Sequence, residues 1–139
     1  MTKTDTSAFD GAKLFLFLGP NLFVIRRDDF PGLSWPGYLD LPGGAREGQE
    51  SGLACILRET CEETGLRLTE CDLVWRRFYG APSRAWYFAA HLPAKAEAQV
   101  VFGNEGQGWM LMPPEASVTW SEAVPHFAQR VGDYLRCGT

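Results

Sequence analysis

The apolar positions of this chain fall into short bursts separated by turn residues, with two longer stretches of helical spacing. Lys13 to Leu18 (KLFLFL) and Leu22 to Arg26 (LFVIR) flank Gly19-Pro20-Asn21, and strand formers on either side of turn residues predict a β-hairpin. A loop rich in Pro and Gly, Asp28 to Gly37, carries Trp35. Tyr38 to Leu41 then forms a short strand leading to the turn Pro42-Gly43-Gly44. Asp72 to Tyr79 and Arg84 to Leu92 predict a second antiparallel pair across Gly80-Ala81-Pro82-Ser83. An Ala-rich connector covers Pro93 to Gln99. Val100 to Phe102 and Trp109 to Met112 are further short strand candidates around the turn-rich Gly103 to Gly108.

Between positions 51 and 65 the period changes. Ser51 suits an N-cap, the helix runs from Gly52 to Thr64, and Gly65 closes it as the residue just past its end. Leu53, Ile56, Leu57 and Thr60 make its inward stripe. Pro113-Pro114 reads as a helix stop. Thr119 or Ser121 opens a C-terminal helix to about Arg136, with Val124, Phe127, Val131 and Leu135 inward. Strands on both sides of a helix, plus a terminal helix, predict an α/β fold with a sheet covered on two faces. With 139 residues there is enough chain for one core and too little for two. Residues 1–10 read as a loose leader without the apolar core of a secretion signal, and 11–139 as the single domain.

Composition narrows the class. The 45% hydrophobic and 22% charged content is that of a soluble globular protein, and no apolar run approaches the ~18 residues of a membrane span, so cytoplasmic residence is the default. Cys55, Cys61, Cys71 and Cys137 lack zinc-ligand spacing and read as reduced thiols used as small apolar side chains. A net charge of −4 argues against coating nucleic acid, and an acidic protein acting on a phosphate ester needs metal ions to offset repulsion. Basic charge comes from ten Arg against three Lys, and Arg suits bidentate phosphate contacts.

The chemistry concentrates on the first helix. Glu59, Glu62 and Glu63 fall at i, i+3 and i+4 and share one face. Like charges so placed repel by roughly 0.2–0.5 kcal/mol per pair, a cost that a divalent cation would reverse. Mg²⁺ or Mn²⁺ takes such oxygen ligands and usually also holds a substrate phosphate.

The segment from Gly44 to Leu66, GAREGQESGLACILRETCEETGL, resembles the signature of the Nudix hydrolases, G-x5-E-x7-R-E-U-x-E-E-x-G-U, with U apolar. Gly44, Glu50, Arg58, Glu59, Glu62, Glu63, Gly65 and Leu66 match, and Thr60 stands at the first U. The resemblance implies an α/β/α sandwich around a mixed sheet and hydrolysis of a nucleoside diphosphate linked to another group, by water attack on phosphorus. It places Glu59, Glu62 and Glu63 at metal-binding and base-forming positions, with the Gly43 carbonyl a further ligand. Arg58, pointing away from the metal face of an ideal helix, is assigned to a salt bridge that orients a carboxylate. Glu50 is assigned to support of the loop or of the ligands.

Gly103-Asn104-Glu105-Gly106-Gln107-Gly108-Trp109 is similar to the G-x-E-G-Q segment that precedes a Trp in MutT-like members, where the Glu is a metal ligand or base. That role passes to Glu105, and either Glu59 or Glu105 takes the proton from water. Arg26 and Arg27 match an R-R pattern near the substrate phosphates, and Arg84 is a third candidate. Trp35, Tyr38, Phe78, Tyr79 and Trp86 are aromatic residues of a kind that stack on a nucleobase or fill the core. His91 and His126 show no partner pattern. Ala123 and Leu41 replace an Asn and an aromatic that MutT itself uses, which argues against oxidised-guanine nucleotides. Pro82 lies 16 residues beyond Leu66, near a spacing associated with ADP-ribose hydrolases. The leading expectation is a Mg²⁺- or Mn²⁺-dependent hydrolase of a nucleoside triphosphate, acting as monomer or homodimer on a small nucleotide. A nucleotide-sugar, ADP-ribose or dinucleotide hydrolase is the alternative, and a silent ligand sensor is a third reading.

Overall fold

The computed structural model describes residues 8–137. Seven strands form one mixed sheet: β1 (Gly11–Leu18), β2 (Asn21–Arg26), β3 (Leu39–Asp40), β4 (Gly43–Ala45), β5 (Leu73–Tyr79), β6 (Ala85–Leu92) and β7 (Gly108–Met112). Among the described residues three α-helices accompany them: α1 (Gly52–Thr64), α2 (Pro114–Thr119) and α3 (Pro125–Cys137). The two expected hairpins are present, β1 with β2 and β5 with β6, each antiparallel. What joins them is a parallel ladder of β1 on β6, from Gly11 opposite Ala85 to Leu18 opposite Leu92. The main path runs β3-β2-β1-β6-β5, with β4 added to β1 and β7 to β2.

Both faces of β1 are buried, which explains its unbroken apolar run. Leu14 and Leu16 point to one side with Phe23, Ile25, Ile56 and Phe88, beneath α1. Phe15 and Phe17 point to the other with Tyr87, Val131 and Tyr134, beneath α3. The sheet is therefore the middle layer of an α/β/α sandwich.

Helix α1 has the expected bounds. The Ser51 side chain accepts from the Ala54 N–H, and Gly65, at φ 75°, donates its N–H to the Cys61 carbonyl. Its buried residues are Gly52, Cys55, Ile56, Thr60 and Thr64, while Leu53 and Leu57 are half-buried. The inward stripe is thus rotated toward Cys55, whose thiol burial pushes up to about 11. All four cysteines are free. Thr60 is fully buried, and its hydroxyl has no hydrogen-bond partner.

Three details differ from expectation. Residues 100–102 form no strand: the Val101 N–H donates to the Thr64 carbonyl and the Gly103 N–H to the Glu63 carbonyl, so this segment caps α1 instead of joining the sheet. Pro113-Pro114 starts a helix rather than stopping one, because Pro114 sits at the first turn of α2, where its missing N–H costs nothing. The terminal helix begins only at Pro125, after α2 and a short connection. Of the expected leader, residues 1–7 lie outside the described residues. Phe9 is buried in the core, and the Asp10 N–H donates to the Arg84 carbonyl. No helix among the described residues is long and apolar enough to cross a membrane.

Candidate active site

The acidic face of α1 packs against the double-glycine turn. Gly43 sits at φ 133°, and a Cβ there would lie 2.1 Å from the Ala12 carbonyl oxygen. At Gly44 a Cβ would lie 2.6 Å from a Glu59 carboxylate oxygen. Two side-chain-free residues in succession are what lets the turn approach both β1 and the carboxylates. The Gly43 N–H donates to Glu63 at 3.1 Å. Burial and a shared hydrogen bond with Glu59 raise the proton affinity of Glu63, against the opposing charge of Lys13.

Arg58 is surrounded by carboxylates. Its Nε and Nη2 donate to Glu50 at 2.7 and 3.0 Å, and Nη1 donates to Glu59 at 2.8 Å and Glu62 at 3.2 Å. Glu47 pairs with Nη1 at 2.9 Å, and Nη2 also donates to the Ala45 carbonyl. Arg58 reaches over the acidic face instead of turning away from it. The paired guanidinium holds Glu50 well below the usual carboxylate range, at about 2. One carboxylate oxygen each from Glu47, Glu59 and Glu62 lie within 4.8 Å of one another. Such a set of hard oxygen donors suits a divalent cation once Arg58 Nη1, which now sits among the three, gives way, and the bare Gly44 leaves room on the turn side of the Glu59 carboxylate.

Beside this face a cleft of about 430 Å³ opens, its lining including Gly43, Gly44, Glu63 and Glu105 together with Phe30 and Leu33. Its floor is ionic: Asp40, 7% exposed, pairs with Arg27 at 2.7 Å and Lys13 at 3.1 Å. Glu105 is held over the cleft by its loop. The Gly106 N–H donates to the Asp28 carboxylate, the Gln107 N–H to the Arg26 carbonyl, and the Gln107 side chain to the Arg27 carbonyl. A Cβ at Gly103 would lie 2.4 Å from the Glu62 carbonyl oxygen, so the loop touches the end of α1 directly.

Of the expected residues, the cleft brings together Gly43, Glu63, Glu105 and Arg27, with Glu59 and Glu62 on the adjoining helix face. Arg26 and Arg84 do not line it: Arg26 donates to the Gly37 carbonyl at 2.6 Å, and exposed Arg84 pairs with Asp10. Nor do the five aromatic candidates line it. Trp35 and Tyr38 pack on each other, Phe78 meets Trp86 edge-on, and Tyr79 donates to Asp133. Trp86 instead lines a separate groove with Phe9 and Arg46. His91 lies 2.7 Å from the Tyr134 hydroxyl and is stacked on Phe17. His126 meets the Phe127 ring edge-on.

Sequence reasoning missed Glu47, Lys13, Asp40 and Phe30. For Glu47 the signal was its place in the loop between Gly44 and the capping Ser51. Lys13 and Asp40 are brought there by strand pairing and Phe30 by the loop between β2 and β3, neither of which sequence spacing reveals.

This fold and site define a recognisable class. A NUDIX domain model matches residues 10–130, and the chain belongs to the Nudix hydrolase family. Among solved structures it is similar to a MutT protein from Methanosarcina mazei Go1, at TM-score 0.76 and 18% identity, covering 94% of this chain and 95% of that one. A bifunctional NMN adenylyltransferase/ADP ribose pyrophosphatase from Francisella tularensis, complexed with AMP and Mn ion, matches at TM-score 0.67 and 14% identity, covering 96% of this chain and 43% of that one. A C. elegans Ap4A hydrolase matches at TM-score 0.64 and 20% identity, over 91% and 98% of the two chains. No curated protein matches significantly by sequence.

Proposed function

We propose that this protein is a divalent-metal-dependent pyrophosphohydrolase that cleaves a nucleoside triphosphate. The observation that carries the reading is the junction of a clustered carboxylate face with a cleft that also holds cationic side chains: Glu59, Glu62 and Glu63 on α1, Glu105 on its loop, and Arg27 and Lys13, both paired with Asp40. A bound Mg²⁺ or Mn²⁺ would relieve charge on phosphate oxygens by Lewis-acid polarisation. Glu47, Glu59, Glu62 and Glu63 and the Gly43 carbonyl are the groups to hold it.

The remaining work falls to the chain's own side chains. Arg58 fixes the orientation of Glu59 and Glu62. Arg27 offers the phosphates a guanidinium already positioned by Asp40. Glu105, exposed and held by its loop at the cleft, is one candidate to take the proton from attacking water, and Glu59 is the other. Phe30, 53% exposed and lining the same cleft, presents a face for a nucleobase.

A second reading, an ADP-ribose or dinucleotide hydrolase, draws support from the solved structures named as ADP-ribose pyrophosphatase and Ap4A hydrolase. One experiment separates these readings. Purified protein with Mg²⁺ or Mn²⁺ is assayed against triphosphates, nucleotide sugars, ADP-ribose and dinucleotides, with product analysis to show which phosphorus is attacked. Turnover of a triphosphate is expected, reduced by about 10²-fold or more in Glu63→Gln and substantially in Glu105→Ala. Preference for a dinucleotide or ADP-ribose would select the second reading. Silence across the set with metal bound would leave a ligand-sensing domain.

A further inference from the structure

Phe30 offers a base a face, but every nucleobase has a π-face, so stacking alone tells them apart poorly. Discrimination needs a polar group at the cleft that is not already paired. Most of the charged side chains there are engaged. Lys13 and Arg27 both pair with Asp40, and Glu63 accepts from the Gly43 N–H. Glu105 is a candidate base of the reaction itself. Asp28 is different. It lines the same cleft, two residues before Phe30, on the loop that follows β2. Its Oδ2 accepts from the Gly106 N–H at 3.1 Å, which ties the carboxylate to the Glu105 loop. Its Oδ1 has no hydrogen-bond or ion-pair partner among the described residues. The side chain is thus held by one oxygen and open at the other.

We propose that Asp28 is a specificity-determining residue, an acceptor that selects a nucleoside triphosphate whose base presents an amino group. A carboxylate accepts hydrogen bonds and cannot donate them. Cytosine, adenine and guanine each carry an exocyclic NH2 that a carboxylate oxygen can receive. Uracil and hypoxanthine put a carbonyl oxygen where cytosine and adenine have that amino group, and hypoxanthine lacks the amino group of guanine. Oxygen facing oxygen leaves two acceptors without a donor, which disfavours the carbonyl bases. The bond to Gly106 matters because it orders the carboxylate before substrate arrives, so less freedom is lost on binding. This inference rests on the triphosphate reading above and names the class of base it takes.

The test compares kcat/KM, with Mg²⁺ present, within pairs of triphosphates: cytosine against uracil, adenine against hypoxanthine, and guanine against hypoxanthine. Each ratio is taken within one protein, so a general loss of turnover from a loosened Glu105 loop cancels. The parent should favour the amino member of at least one pair by about tenfold or more. In Asp28→Asn the amide oxygen is the atom that must face the Gly106 N–H, which turns the amide NH2 toward the cleft. The parent's preference should then be lost or inverted toward the carbonyl base. Asp28→Ala offers neither group, should bring the ratio near one, and serves if circular dichroism shows the Asn variant unfolded. Turnover of triphosphates by the parent without preference in any pair would overturn the role of Asp28 and leave the triphosphate reading standing. So would a folded variant that keeps the parent's preference. A parent that hydrolyses no triphosphate would overturn both.

Discussion

Replacing Arg58 by Ala removes a guanidinium shared among four carboxylates. Their contributions are unequal. Glu47 and Glu62 are 66% and 56% exposed, so each pairing is worth under about 1 kcal/mol. Glu50 and Glu59 are 16% and 13% exposed and accept charge-assisted bonds worth about 1.5–3 kcal/mol each. Because the removed group also leaves these carboxylates facing one another, a total loss of about 3–5 kcal/mol is expected at neutral pH without metal. Arg58→Lys should lose about half of that, since an ammonium cannot fork between Glu50 and Glu59. The measurement is urea unfolding with a chelator present, repeated with millimolar Mg²⁺. Added metal should narrow the gap by neutralising the carboxylates that the arginine had covered. The gap also depends on pH. Glu50 is held at about 2, below its ordinary 4.5, so its share is fully present above about 4.5 and is lost as pH falls toward 2. An Arg58→Ala protein within about 0.5 kcal/mol of the parent at pH 7, or a gap that widens on acidification, would refute this account of the cluster.

Two further substitutions probe the surroundings. Thr60→Val exchanges a buried, unpartnered hydroxyl for a methyl of similar size and should raise stability by about 1 kcal/mol, read as a higher midpoint in the same unfolding assay. Asp28→Ala removes the acceptor that holds the Gly106 N–H, so the Glu105 loop should loosen. Turnover is expected to fall several-fold with stability changed by about 1 kcal/mol or less, and faster amide exchange at residues 104–107 would report the loosening directly.

Where local chemistry decided the structure, the sequence was informative. The bounds of α1 follow from a capping Ser51 and a terminal Gly65, and both hairpins follow from turn residues between strand formers. The acidic face was readable because helical spacing alone puts Glu59, Glu62 and Glu63 together. The cleft was less so. Its floor depends on Lys13 of β1, Arg27 just after β2 and Asp40 of β3 meeting through sheet pairing, and no local pattern encodes that meeting. Residues 100–102 misled for the same reason: their segment is held by backbone bonds to the end of α1, more than thirty positions earlier, while Val100 and Phe102 pack against the core. Pro113-Pro114 misled because the same residue that ends a helix is also suited to begin one.

The two walls of the cleft differ in how firmly they are tied. Residues 103–108 are stitched both to the end of α1 and to the end of β2, so a shift of the Glu105 loop would pull on the helix that carries the acidic face. The segment from Asp28 to Gly37 is tied at its two ends and by Arg27, whose Nε donates to the Ser34 carbonyl, while a Cβ at Gly32 would meet nothing within 4 Å. On the proposed reading, chemistry and selectivity are thereby lodged in separate parts: the Phe30 segment could be rewritten for other leaving groups or bases while the carboxylate face stays in register.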